Sequence, residues 1–94
     1  MPTSTATVST SHADRYLRQL CRHFDSHLPV FVTGKLGRVT FPTGTCQICA
    51  DPSMLTLTAT SEIADLQRLE QLVGNHLARF AFRENPVITW QRAA

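Results

Sequence analysis

Over residues 54–60, Leu55, Leu57 and Ala59 alternate with Thr56, Thr58 and Thr60. A strict period of two puts the apolar set on one face of a strand and the threonines on the other. From Thr5 to Thr10 the alternation recurs, with Ala6 and Val8 opposed to Thr5, Thr7 and Ser9, and predicts a short first strand. VFVT (30–33), RVTF (38–41) and TCQICA (45–50) read as three more strands. Gly34-Lys35-Leu36-Gly37 turns the chain between the first two of these. Phe41-Pro42-Thr43-Gly44 follows, with the proline second and glycine fourth that a type I turn favours. Asp51-Pro52-Ser53 makes the next reversal.

Two stretches change period. Ala13, Tyr16, Leu17, Leu20, Cys21, Phe24 and Leu28 recur at three- and four-residue spacing, with Arg15, Arg18, Arg22 and Ser26 opposite, which predicts an amphipathic helix over 12–27. Ser11 followed by Asp14 resembles an acidic capping box at its start, and Pro29 stops it. Ile63, Leu66, Leu69, Val73, Leu77 and Phe80 make the stripe of a second helix over 62–82, with Ser61 as its cap. Gly74 weakens that helix by up to about 1 kcal/mol relative to alanine. After Glu84-Asn85-Pro86, VITWQ reads as a last strand.

The order β-α-β-β-β-β-α-β predicts one α+β domain over residues 1–94, with no internal repeat and no linker. Half-polar strands joined by tight turns imply a mostly antiparallel sheet of five to six strands. Two amphipathic helices on its apolar face complete two layers. The other face is expected to carry Thr5, Thr7, Thr40, Thr45, Gln47, Thr56, Thr58 and Thr60, a solvated surface that also offers a pairing surface to a second copy.

Composition narrows the function classes. Charged residues make up 17% and hydrophobic residues 43%, the balance of a globular domain. A net charge of +2 is too mild, and aromatics are too sparse among the basic residues, for a nucleic-acid binder. Up to residue 47, Arg15, Arg18, Arg22, Lys35 and Arg38 outweigh Asp14 and Asp25, while the remainder is slightly acidic. MPTSTATVST has neither the basic nor the apolar region of a signal peptide, and no apolar run approaches the roughly 18 residues of a membrane span. The expectation is a cytoplasmic protein with three reduced cysteines.

Cys46-x-x-Cys49 invites a metal or redox reading. In a strand the two side chains point to opposite faces, about 10 Å apart at the alpha carbons. A disulfide needs roughly 7 Å. Cys46 therefore reads as a small inward hydrophobe. His23 and His27 stand at the i, i+4 spacing of a metal-binding helix but lack an adjacent third ligand, so Cys21 and Cys46 complete the metal candidates. RFAFRE (79–84) offers Arg79, Arg83 and Glu84 as an internal ion pair or as charge for a partner, with Phe82 closing the helix against the sheet. No P-loop and no serine-nucleophile motif is present, and no cofactor is expected.

RYLRQLCRHF (15–24), GRVTFPTGTC (37–46) and HLARFAFRENPVITW (76–90) resemble the bacterial family catalogued as domain of unknown function 2218. The resemblance runs the length of the chain. It implies a small bacterial domain without established activity, associated with flavin-dependent siderophore-interacting reductases and hence with iron acquisition. Cys21, His23 and Cys46 fall within the shared strings, whereas Cys49 does not. The leading expectation is thus a non-enzymatic accessory domain that binds a protein partner. The alternatives are a metal-binding protein using His23 and His27 with a thiol, and a small enzyme acting through Cys21 or His76.

Overall fold

The computed structural model describes residues 2–93. Its centre is the strand with the cleanest alternation, β5 (Met54–Ser61). Leu55, Leu57, Ala59 and Ser61 point into the core, and the intervening threonines lie on the outer face. β1 (Thr3–Ser9) and β4 (Gly44–Ala50) pair with it antiparallel on either side. β3 (Leu36–Phe41) continues the sheet beyond β4, β2 (Val30–Thr33) forms one edge, and β6 (Trp90–Arg92) forms the other beside β1. The order is β2-β3-β4-β5-β1-β6, antiparallel throughout.

One outer row runs through all six strands: Phe31, Arg38, Gln47, Thr58, Thr5 and Gln91 are successive cross-strand partners. The Thr- and Gln-rich face expected from the alternation is therefore real. Cys46 is buried on the inner face and Cys49 is exposed on the outer one. The strand geometry decides the CxxC question as expected.

Helices α1 (Ala13–Asp25) and α2 (Ile63–Phe80) cover the inner face. α1 lies over β2, β3, β4 and β5, and α2 over β5 and β1. Leu17, Leu20, Leu66, Val73 and Leu77 meet Val39, Ile48, Leu55 and Leu57, all essentially inaccessible to solvent. Each such side chain contributes about 1.5–3 kcal/mol on leaving water. α1 sits close because Gly37 has no side chain: a Cβ there would lie 2.7 Å from Cys21 Sγ.

Four local features differ from the sequence expectation. The N-cap of α1 is His12 and makes no side-chain cap. Instead, Thr10 Oγ1 accepts the His12 N–H at 3.0 Å, so the hydroxyl one residue before Ser11 orders the helix start. Ser61 ends β5, and its Oγ donates to the Glu62 carbonyl instead of capping α2. Ile63 opens α2 at 61% exposure, because the buried stripe of α2 begins at Leu66. The last strand is only Trp90–Arg92, and 85–89 crosses back over α2 as an unpaired strap.

Two contacts fasten that strap. The Arg92 guanidinium donates to both oxygens of the buried Glu70 carboxylate, at 3.2 Å each. Trp90 lies against Gly74, where a Cβ would come within 3.4 Å of its Nε1. The glycine that costs α2 helical propensity thus makes room for the indole.

Candidate functional site

Along one side of α1, His12, Arg15, Gln19 and His23 are exposed at helical spacing. Along the facing side of α2 and the turn after it come His76, Arg79, Phe82 and Arg83. Packing the two helices side by side on the sheet brings these rows together. The upper part of the seam is a cleft of about 200 Å³ lined by His12, Arg15, Tyr16, Gln19, Phe80, Phe82, Arg83 and Glu84.

Glu84 shapes the cleft. Its carboxylate accepts the Thr10 hydroxyl, with Oε1 at 2.9 Å and Oε2 at 2.8 Å. His12 Nε2 stands 3.8 Å from Oε1. The expectation of an ion pair within Arg79, Arg83 and Glu84 is not met: the carboxylate reaches across to the end of β1. The turn that delivers it is built by Glu84 N–H and Asn85 N–H donating to the Ala81 carbonyl, with Asn85 in the left-handed region at φ 49°. Buried Tyr16 lies below, and burial together with the Glu84 carboxylate pushes its hydroxyl pKa up.

Phe82 also departs from the sequence expectation. It was expected to close the helix against the sheet, yet it is 67% exposed, with the Arg83 guanidinium 5.6 Å from its ring centroid. Ala81 takes the inward position instead. Among the described residues, Arg15, Arg79 and Arg83 make no ion pair.

Below the cleft, His23 meets His76 with ring centroids 4.4 Å apart. Phe24 and Phe80 pack on the same rings, at 5.2 Å from His76 and 5.8 Å from His23. The Leu72 carbonyl lies 2.7 Å from His76 Nδ1, which assigns the proton to Nδ1 and leaves Nε2 as the acceptor of the neutral ring. Lost solvation against the packed rings lowers the His23 pKa, and the charges of His76, Arg79 and His27 act in the same direction.

The metal candidates are distributed differently. Cys21 faces Gly37 and the core, Cys46 is buried among the strands, and His27 is exposed past the end of α1. Among the described residues, no three His, Cys, Asp or Glu side chains gather as a metal site. Burial raises the pKa of Cys21, and that of Cys46 to about 12, the reverse of what an activated thiol needs.

Thr10, His12, Tyr16 and His76 are the site residues that sequence reasoning did not join to the rest. Helical spacing carried a partial signal, since 12, 16, 19 and 23 form one stripe and 76, 79, 80 and 83 another. A larger concavity, about 410 Å³ between α2 and the strap, is lined mainly by neutral side chains, and its one carboxylate, Glu70, is already held by Arg92. Along the seam, unpaired charge and the exposed Phe82 ring coincide with a concave surface.

These features define a small two-layer α+β domain with a cationic, aromatic groove between its helices. The chain belongs to the bacterial family described as "Uncharacterized protein conserved in bacteria (DUF2218)", whose sequence profile matches residues 5–91. It is similar in fold to PA4090 from Pseudomonas aeruginosa, solved by NMR, with TM-score 0.82 and 33% identity over 97% of this chain and 96% of that one. No curated protein matches it. No helix among the described residues is long and apolar enough to cross a membrane.

Proposed function

We propose that this domain is a binding module that docks an acidic surface of a protein partner along the α1–α2 seam. The observation that carries the reading is the set of Arg15, Arg79 and Arg83, without ion-pair partners along the seam, with Arg83 over the exposed ring of Phe82. Arginine and aromatic side chains dominate the energetic centres of protein interfaces. Guanidinium groups also fit carboxylates bidentately, which gives geometry as well as attraction. The seam's own carboxylate, Glu84, is oriented by Thr10 and keeps its charge, so three arginines stand against one carboxylate and the groove stays net positive.

The identity of the partner rests on the family resemblance alone. It points to a flavin-dependent siderophore-interacting reductase and, through it, to ferric-siderophore reduction. The seam itself supports only the chemistry of the partner's surface.

The test is a photo-crosslinking residue placed at Phe82 in the bacterial host, with a second one at Thr7 on the outer sheet face as control. Adducts specific to position 82, lost when Arg79 and Arg83 are both changed to Glu, are expected, with the reductase among them. Adducts at 82 no different from those at 7 would overturn the seam. A specific adduct to some other protein would keep the seam and remove the reductase.

A further inference from the structure

Strand β2 is an edge without the usual protection. Natural edge strands are kept from pairing by charged residues, prolines, bulges or a covering element. Val30-Phe31-Val32-Thr33 has no charge and no internal proline. Phe31 is 60% exposed and Val32 40%. The opposite edge is different, being three residues long and ending in Arg92.

The ladder shows which groups stand open. Thr33 pairs with Leu36 across the two-residue turn, Phe31 pairs with Arg38, and the Thr40 N–H donates to the Pro29 carbonyl at 3.0 Å. Hydrogen-bonded pairs alternate along an antiparallel ladder, so 29, 31 and 33 bond inward to β3. The N–H and C=O of Val30 and Val32 are therefore turned out from the edge. These are two donors and two acceptors at the spacing of an extended strand.

Beside this edge, on the helix side, lies a groove of about 400 Å³ lined by Arg18, Cys21, Arg22, Asp25, Val30 and Val32. Its floor is apolar, and its helix wall carries the guanidinium groups of Arg18 and Arg22 with the Asp25 carboxylate at the end of α1. Arg18 is shared with Asp14, at 3.1 Å, whereas Arg22 makes no ion pair among the described residues.

We propose that β2 receives an extended segment of a different protein as a seventh strand. Its backbone pairs with Val30 and Val32, an inward apolar side chain fills the groove, and an acidic side chain at the next inward position meets Arg22. Strand addition of this kind draws affinity from main-chain bonds and specificity from the pockets for alternate side chains. Charge decides against a second copy. A second copy's β2 would bring only Val30 and Val32 to the groove and no acidic strand residue to Arg22. This surface lies on the far side of α1 from the seam and does not depend on it.

The test is selection of phage-displayed random peptides on the full chain, followed by titration of the selected peptides into 15N-labelled protein. The expected peptides carry an acidic residue two positions from an apolar one, and they slow amide exchange at Val30 and Val32. Val32→Pro removes one outward N–H without breaking the β3 ladder, and it should weaken binding about tenfold, as for one lost hydrogen bond. Arg22→Glu should turn the selected acidic residue basic, and it keeps the question open to test if the proline variant does not fold. No enriched pattern, protection centred on other amides, or unchanged affinity in Val32→Pro would each overturn the proposal. Self-association of the wild type that Val32→Pro abolishes would also overturn it, by giving the edge to a second copy.

Discussion

Thr10 and Glu84 are 74 positions apart in sequence, and the Thr10 hydroxyl lies within 2.9 Å of both Glu84 carboxylate oxygens. The pair ties the end of β1 to the turn after α2. The same hydroxyl accepts the His12 N–H that starts α1. One side-chain oxygen thus fixes the entry of one helix against the exit of the other, and with it the top of the seam.

Removing that hydroxyl should be costly for its size. Thr10→Val preserves shape but removes the hydroxyl that bonds the Glu84 carboxylate and the His12 N–H. A loss of about 1–3 kcal/mol is expected in urea unfolding. Amide exchange at 82–85 should quicken by more than that in the sheet, because the turn loses its tether. A loss confined to the noise of the urea measurement would contradict the clamp.

The Cys21–Gly37 contact makes a coupled pair. Gly37→Ala puts a methyl carbon 2.7 Å from Cys21 Sγ and should cost about 1–3 kcal/mol as overpacking. In the double variant with Cys21→Ala the added methyl has room, so the combined loss should be smaller than the sum of the single losses. Additivity in that cycle would show that the helix–sheet spacing is set elsewhere.

Thiol labelling separates the three cysteines. Cys49 is exposed and should react at once with an aromatic disulfide reagent in the folded protein. Cys46, buried with its pKa pushed up to about 12, should react only on unfolding. Cys21, also buried and shifted upward, should follow Cys46 and not Cys49. Fast labelling at Cys21 would reopen the thiol chemistry that its burial argues against.

The ring pair predicts a pH dependence with a definite sign. The folded-state pKa of His23 lies below its ordinary 6.5, first from lost solvation and then from the charges of His76, Arg79 and His27. Protons then bind the unfolded chain in preference to the folded one as pH falls through 6.5. Stability from this group is complete above that value and declines below it until the folded pKa is passed. The urea midpoint should drop between pH 7.5 and 5.5 in the wild type and drop less in His23→Gln. Equal drops would remove His23 as the source.

What was legible in the sequence follows from distance along the chain. A period of two placed Cys46 inside and Cys49 outside, and it gave the threonine face, because strand geometry is local. Helical spacing identified Leu17, Leu20, Leu66 and Leu77 as core for the same reason. Phe82 was misplaced because the chain leaves helical geometry at Ala81, after which the period no longer says which way a side chain points. Ile63 was misplaced because its stripe continues past the edge of what α2 covers. VITWQ looked like a full strand, but only its end finds β1, where Ala6 pairs with Trp90. Thr10–Glu84 and His23–His76 could not be read at all. Each joins segments that meet only after both helices have docked.

The most direct test of the seam is an NMR titration of the 15N-labelled protein with polyglutamate at low salt. The expected perturbations centre on Arg15, Gln19, His23, His76, Arg79, Phe82 and Arg83, fade as salt is raised, and vanish in the Arg79→Glu, Arg83→Glu variant. Perturbations spread evenly over all basic residues, or centred on Arg38 at the outer sheet face, would contradict a docking surface between the helices.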